Sequence, residues 1–117
     1  MDGGELEAAL HSLLEPYEGR LERSMLYGIH VLHRPGANGH DWFAGVRPGK
    51  GTAKLMLLPI KSHPELLDGV APALRRRKSG EALFELRPGD EALLPELELL
   101  VARAFDTYMG ATPVEGR

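Results

Sequence analysis

The sequence predicts an α+β fold in which an antiparallel sheet of about four strands is flanked by an N-terminal and a C-terminal helix. Helical apolar stripes lie near both ends of the 117-residue chain, and strand-like apolar runs lie between them. The turns between the first runs are too short for the crossover that parallel strands need. Since this length is usual for one domain, we assign residues 1–110 to a single domain and residues 111–117 to a flexible C-terminal tail.

The N-terminal helix is predicted over residues 5–15. Its apolar side chains have the spacing of one helical face: Leu6, Ala9, Leu10, Leu13 and Leu14. Glu5 and Glu7 fall in the first turn, where the helix dipole stabilises acidic side chains. Because proline removes a backbone donor, we expect the helix to end just before Pro16.

Three strands are predicted next, over residues 24–34, 42–47 and 52–60. The first has apolar residues on both faces, which is typical of a strand inside a sheet that is covered on each side. Residues 35–39 and 48–51 have the composition of turns. Short turns join antiparallel neighbours, so the three strands form a meander.

Several short elements are predicted between the meander and the last helix. Residues 63–69 form one helical turn, with proline near its start and glycine just past its end. Residues 72–78 form a second short helix that ends at Gly80. A fourth strand follows over residues 82–87.

The C-terminal helix has the longest apolar stripe in the chain, made of Leu93, Leu97, Leu100, Val101, Ala104 and Tyr108. Pro95 suits the first turn of this helix, because the donor that proline lacks has no partner there. Gly110 is the expected C-terminal stop.

Composition excludes several classes of function. With no cysteine, the chain has no disulfide, no thiolate nucleophile and no cysteine-bound metal. The first residues are acidic and no apolar run reaches the length of a bilayer, so we expect a cytoplasmic protein without a membrane partner. A net charge of −3 with scattered basic residues argues against a nucleic-acid partner. The sequence favours neither a monomer nor a homodimer.

His30, His33, His40 and Asp41 are the one group of metal-ligating residue types that lie close together in the sequence. On a strand, His30 and His33 point to opposite faces because they are three residues apart. Only a bulge or a strand end near His33 would bring the two side chains together. We therefore expect no metal site, and we expect His30 to be a buried, hydrogen-bonded histidine.

The candidate binding residues are the basic run Arg75, Arg76, Arg77 and Lys78, together with Trp42. The arginine fork donates two parallel hydrogen bonds to a phosphate or a carboxylate, so the run is a candidate anion site. The alternative is that the run is simply the solvated side of a short helix. Trp42 is included because an apolar pocket is expected to open near it.

No catalytic residue and no cofactor are predicted. The sequence has no Gly-x-Ser-x-Gly elbow and no phosphate-binding glycine loop. Its serines, Ser12, Ser24, Ser62 and Ser79, have no partner at a recognisable spacing. His63 follows Ser62 directly, but adjacency in sequence does not make a triad.

Four segments between residues 43 and 108 carry a resemblance: KLMLLPI (54–60), ELLDGVAPAL (65–74), SGEALFEL (79–86) and DEALLPEL (90–97). In this order and with these loop lengths, the chain resembles the YdhG-like family of small bacterial domains of unknown function. The resemblance implies the α+β fold and no particular activity. One branch of the family is linked to frataxin-like iron delivery, but Met56 stands where the family often has histidine, and no ligand set carries over.

The leading functional hypothesis is a non-catalytic binding or accessory domain that recognises an anionic small molecule or a protein partner. One alternative is a frataxin-like iron chaperone, which needs several carboxylates on one surface. Glu15, Glu18 and Glu22 have suitable helical spacing, but Pro16 is expected to interrupt that helix. The other alternative is a small enzyme with a cleft between the sheet and the short helices.

Overall fold

The computed structural model describes residues 2–26, 28–37 and 41–115, except for the side chains of residues 111–115. The elements in chain order are α1 (Gly3–Glu18), β1 (Glu22–Leu26), β2 (Ile29–His33), β3 (Ala44–Pro48), β4 (Ala53–Leu57), α2 (Pro59–Ser62), a 3-10 helix (Pro64–Leu67), α3 (Pro72–Arg75), β5 (Leu83–Leu86), a second 3-10 helix (Glu91–Leu93) and α4 (Leu94–Glu115). The predicted α+β fold is confirmed.

The sheet has five antiparallel strands in the order β1-β2-β3-β4-β5, one more than the approximate prediction. The additional strand arises because residues 24–34 are not one strand. Leu26 pairs with Ile29, so the chain reverses between them and β1 lies beside β2. Gly28 has φ +82°, a backbone conformation that glycine adopts without strain and that tight hairpins require.

The helices α1 and α4 cover one face of the sheet. Along β4, Ala53, Leu55 and Leu57 are fully buried, whereas Lys54 and Met56 between them are partly exposed. The helix α1 packs on β3 and β4 and also against α4. The fold therefore has two layers, and the other face of the sheet is open except where loops cross it.

The helix α1 extends to Glu18, so the predicted end before Pro16 is wrong. The reason is tertiary packing one residue further along the chain. The Tyr17 ring lies 4.6 Å from the ring of Phe105 and 5.9 Å from that of Phe43, measured between centroids. Burial of this aromatic cluster offsets the single backbone hydrogen bond that Pro16 cannot donate.

The predicted stripe of the C-terminal helix is confirmed, since Leu97, Leu100 and Ala104 have no exposed surface. The helix α4 continues past Gly110 to Glu115, so the expected stop at Gly110 is wrong. Glycine weakens a helix interior by only about 1 kcal/mol, which does not force an end. The mobility of residues 111–117 stays a prediction, and residues 116 and 117 lie outside the described residues.

The two edges of the sheet differ. Beside β5, the chain that follows α3 runs back along the strand: Glu85 donates its backbone N–H to the carbonyl of Arg77, and Ser79 donates to the carbonyl of Leu83. The edge strand β1 has no such neighbour among the described residues. Among all the residues that the structure describes, no helix is long and apolar enough to cross a membrane.

Candidate functional site

A pocket of about 300 Å³ lies beside the β5 edge, and we call it the basic pocket. Four cationic side chains line it, together with two hydroxyl groups and one carboxylate: Arg76, Arg77, Lys78, Arg87, Thr52, Ser79 and Glu85. The segment after α3, the strand β5 and the turn between β3 and β4 bring these residues together. Positive charge therefore exceeds negative charge on the lining.

One cation of the basic pocket is held by an ion pair. Arg77 donates from Nε to Asp90 Oδ2 at 2.7 Å and from Nη2 to Oδ1 at 3.0 Å. Asp90 is buried and also accepts from the backbone N–H of Arg87 at 3.0 Å. The hydrogen bond from Arg77 is the main cause of a lowered pKa of Asp90. This clamp fixes both the segment after α3 and the end of β5.

Two other cations of the basic pocket are available for a ligand. The guanidinium groups of Arg76 and Arg87 form no hydrogen bond and no ion pair within the described residues, and both residues are exposed. Lys78 donates from Nζ to the carbonyl of Gly80 at 2.6 Å, which uses one of its three donors. The arrangement combines a fixed arginine with free donors of the same charge.

The carboxylate in the wall of the basic pocket is occupied. Thr52 donates from Oγ1 to Glu85 Oε2 at 2.8 Å, across neighbouring strands of the sheet. The turn between β3 and β4 permits this contact because residue 49 is glycine. A Cβ on Gly49 would collide with Thr52 Oγ1.

The structure brings together only part of the predicted binding set. Arg76, Arg77 and Lys78 line the basic pocket, but Arg75 does not, because it points towards the carbonyl of Leu67, 3.4 Å from its Nη1. Arg87 was missed, although it stands at the end of the predicted fourth strand. A signal in the sequence was available. A strand that follows a basic run can pair with that run, and the residue at the end of the strand then lies near the basic side chains.

Trp42 lies away from the basic pocket. It lines a cavity of about 170 Å³ beside Arg34, Asp41 and Tyr108, and a smaller cavity of about 60 Å³ beside Ser24. Two cavities therefore open beside Trp42, and the larger one is lined partly by charged side chains. Sequence reasoning could not separate Trp42 from the basic run, because the order of the elements does not show where a loop residue lies.

The larger cavity beside Trp42 contains a saturated polar cluster. Arg34 donates from Nε and Nη2 to the two carboxylate oxygens of Asp41, at 2.8 and 2.7 Å, and from Nη1 to the carbonyl of Tyr108. The Arg34 guanidinium also lies 4.1 Å from the centroid of the Tyr108 ring. The hydrogen bond from Arg34 is the main cause of the lowered pKa of Asp41. The charged groups of Arg34 and Asp41 therefore have their hydrogen-bonding partners within this cluster.

The smaller cavity, which we call the serine pocket, contains a contact that sequence reasoning missed. Ser24 Oγ lies 2.6 Å from His33 Nε2, and His33 Nδ1 lies 2.8 Å from the carbonyl oxygen of Arg34. Ser24 and His33 are nine positions apart in the chain. They meet because β1 and β2 form a hairpin, which the reading of residues 24–34 as one strand did not show.

The group of candidate metal ligands does not assemble in the described residues. His33 is buried and hydrogen-bonded, whereas His30 is exposed, so the expectation of a buried His30 is wrong. The reason is the hairpin, which puts His30 near the open edge of the sheet, opposite Met25. Asp41 pairs with Arg34, and His40 lies outside the described residues. No three His, Asp or Glu side chains among the described residues form a metal-ligating group.

No protein-family model, curated protein or solved structure matches this chain. The resemblance to the YdhG-like family therefore stays a prediction.

Proposed function

We propose that this protein binds a small anionic ligand, one that carries a phosphate or a carboxylate group, in the basic pocket. The observation that carries the proposal is the pair of guanidinium groups on Arg76 and Arg87, which form no hydrogen bond and no ion pair within the described residues and line one cavity. Two arginine forks that face the same space provide parallel donors for the oxygens of such a group.

The fixed part of the basic pocket supports binding as well. Asp90 holds Arg77 in one orientation, so this part of the pocket needs no reordering when a ligand enters. Preorganisation of this kind raises affinity because less entropy is lost on binding. The hydroxyl of Ser79 adds an uncharged donor to the same lining.

The size and charge of the basic pocket favour a small ligand over a nucleic acid. Its volume of about 300 Å³ is at the lower end of the range for small-molecule sites. Glu85 lies in the wall of the pocket, where its charge would repel an extended phosphate backbone. The net charge of the chain is −3, so the positive potential is local.

Two further statements belong to this proposal and rest on the sequence alone. We place the protein in the cytoplasm, on the grounds of its cysteine-free composition. We also assign it to the YdhG-like family, on the four segments that carry the resemblance.

The proposal is tested by thermal unfolding with inorganic phosphate and, separately, with acetate, at an ionic strength held constant with chloride. A ligand at about ten times its Kd stabilises the native state by about 1.4 kcal/mol, which raises the melting temperature by about 5 °C. We expect this rise for the wild type. We expect it to disappear in the double variant Arg76→Gln/Arg87→Gln.

The matched control is Arg23→Gln/Arg47→Gln, which removes the same charge from two exposed arginines outside the basic pocket. It should keep the full rise in melting temperature. Equal stabilisation of the wild type and the Arg76→Gln/Arg87→Gln variant would show that the basic run is only a solvated surface. Equal loss in both double variants would show a general charge effect without a site.

A further inference from the structure

We propose that Ser24 and His33 form a nucleophile and general-base pair that cleaves esters of short-chain carboxylic acids in the serine pocket. This activity is independent of the anion site. The basic pocket lies at the β5 edge, and the serine pocket lies at the β1 edge of the same sheet.

The hydrogen bonds of His33 define which of its nitrogens is the base. The carbonyl oxygen of Arg34 can only accept, so the Nδ1 atom of His33, 2.8 Å away, must carry the proton and donate it. In the neutral ring, Nε2 is then the acceptor. Ser24 Oγ, 2.6 Å from Nε2, donates to it. This is the arrangement in which a histidine takes the proton of a serine nucleophile.

The acceptor that orients His33 is itself held rigidly. The backbone N–H of Arg34 donates to the Tyr108 hydroxyl at 2.9 Å, and its side chain is bound by Asp41. Arg34 is therefore held through its backbone N–H and its side chain, and its carbonyl oxygen also accepts from the backbone N–H of Ala37 at 3.1 Å. In serine hydrolases a third group orients the histidine, and here the Arg34 carbonyl is the positioning group.

The surroundings of the pair combine access with an apolar wall. Ser24 is exposed, whereas His33 is buried, so the nucleophile is open to solvent and the base is shielded. Apolar side chains line the cavity beside them: Met25, Leu26, Val31, Ala37 and Trp42. The cavity volume of about 60 Å³ lies well below that of pockets for drug-sized ligands, so we expect it to accept a short acyl chain better than a long one.

The oxyanion that develops in the reaction is expected to be stabilised by backbone N–H groups on the outer side of β1. In an antiparallel pair, the N–H groups of alternate residues point away from the neighbouring strand. The strand β1 lies at the edge of the sheet, so within the described residues such groups have no strand partner on the outer side. Backbone N–H groups beside a serine nucleophile stabilise the oxyanion of a tetrahedral intermediate.

The reaction proceeds in two steps that share one proton. Ser24 Oγ bonds to the acyl carbon while its proton passes to His33 Nε2, and the C–O bond to the alcohol then breaks as the alcohol takes that proton. Water next attacks the acyl carbon and gives a proton to His33 Nε2. The bond to Ser24 Oγ breaks, the oxygen recovers the proton, and a carboxylic acid leaves. One water is consumed for each ester cleaved.

The first experiment labels the full chain with a fluorophosphonate probe, which forms a P–O bond to an activated serine and releases fluoride. We expect one adduct for each chain, located at Ser24 by peptide mass spectrometry. The adduct should be absent from Ser24→Ala. General-base catalysis contributes about 100-fold or more, so His33→Gln should be labelled at least about 100-fold more slowly.

The controls separate chemistry from folding. Ser12→Ala removes an exposed serine on α1 and should be labelled at the wild-type rate. Because His33 is buried, His33→Gln is first checked for folding by urea unfolding. The wild type itself gives a test that needs no variant, since labelling of Ser24 must vanish in concentrated urea. Absence of the adduct, or labelling that persists in urea, would overturn the proposal.

A second experiment tests the class of substrate. The wild type should hydrolyse p-nitrophenyl acetate and butyrate faster than the octanoate, and Ser24→Ala should hydrolyse none of them above the rate in buffer. The Ser12→Ala variant should keep the wild-type rate, since Ser12 lies on α1 and lines neither the serine pocket nor the basic pocket. Hydrolysis by Ser24→Ala at the wild-type rate would contradict the proposed nucleophile.

Discussion

The two edges of the sheet carry pockets that are built in opposite ways. At the β5 edge, the basic pocket depends on charge: an ion pair between Arg77 and Asp90 fixes its frame, and Arg76 and Arg87 supply free cations. At the β1 edge, the serine pocket depends on a chain of neutral hydrogen bonds from Ser24 through His33. Because one pocket depends on charge and the other on hydrogen bonds, we expect the two edges to respond differently to salt and to substitution.

The difference follows from how each edge is covered. The segment around Lys78 runs along β5, so the cations of that segment are held in place by backbone hydrogen bonds. The strand β1 has no such cover among the described residues, and Ser24 is reached directly from solvent. The covered edge therefore holds cations in place, whereas the open edge leaves the side chain of Ser24 exposed to solvent.

The largest expected effect is on the core that both edges share. Leu100 lies on α4 with no exposed surface, within the layer that packs on the sheet. Leu100→Ala should lower the free energy of unfolding by about 2–5 kcal/mol, measured by urea denaturation, because a cavity is left in a close-packed interior. Phosphate should still raise the melting temperature of this variant. Ser24 should still be labelled at low temperature, where the variant is folded.

Leu99 provides the matched control, because it precedes Leu100 on the same helix and is 68% exposed. Leu99→Ala should change the free energy of unfolding by less than about 0.5 kcal/mol. Similar losses for the two variants would mean that α4 is not docked through the Leu100 face.

The helices and the core could be predicted from the sequence, because each depends on the spacing of apolar residues within one segment. The stripe of α4 is the clearest case, and the elements at 64–67 and 72–75 were found by their prolines and glycines. The predicted strand over residues 52–60 was wrong at its end, because β4 ends at Leu57 and α2 begins at Pro59. The predictions that were wrong depend on contacts with residues far away in the sequence. The end of α1 depends on the contact of Tyr17 with Phe105, 88 residues away in the sequence.

The candidate sites divide in the same way. The basic run was found because its members are consecutive, whereas Arg87 joins them only through the pairing of Glu85 with Arg77. Ser24 and His33 meet across a hairpin, and the apolar residues on both faces of residues 24–34 favoured a single strand instead. Gly28 was the signal for a turn, but one glycine in an apolar run does not decide the conformation.

A substitution of intermediate effect acts on the basic pocket alone. In Gly49→Ala, the new methyl group would collide with Thr52 Oγ1, so Thr52 must turn away and lose its hydrogen bond to Glu85. We expect a loss of about 1–2 kcal/mol in the free energy of unfolding, measured by urea denaturation. Labelling of Ser24 should keep its wild-type rate.

The control for this substitution is Gly19→Ala, at the C-terminal end of α1. A Cβ at Gly19 would meet no atom within 4 Å, and its φ of −70° suits alanine. This variant should lose no stability. A loss in Gly19→Ala equal to that in Gly49→Ala would show that the effect comes from glycine replacement in general and not from the wall of the basic pocket.

The smallest expected effect is the pH dependence of the clamp at the β5 edge. The hydrogen bond from Arg77 lowers the pKa of Asp90 in the folded state below the ordinary Asp value of about 3.9. A group whose pKa is lowered on folding stabilises the protein above its unfolded pKa, and this contribution is lost as the pH falls through the folded pKa. Asp90→Asn should therefore reduce the melting temperature at pH 7 and narrow its difference from the wild type below about pH 4.

The control is Asp68→Asn, in an exposed turn where the side chain forms no ion pair within the described residues. Its melting temperature should follow that of the wild type across the same pH range. The rise in melting temperature with phosphate should weaken in Asp90→Asn, because Arg77 is no longer held, while Ser24 keeps its reactivity. If Asp90→Asn and the wild type differ by the same amount at pH 3 and pH 7, the β5 edge does not owe its frame to this ion pair. The proposed contrast between a charge-dependent β5 edge and a β1 edge that depends on the Ser24–His33 hydrogen bond would then fail.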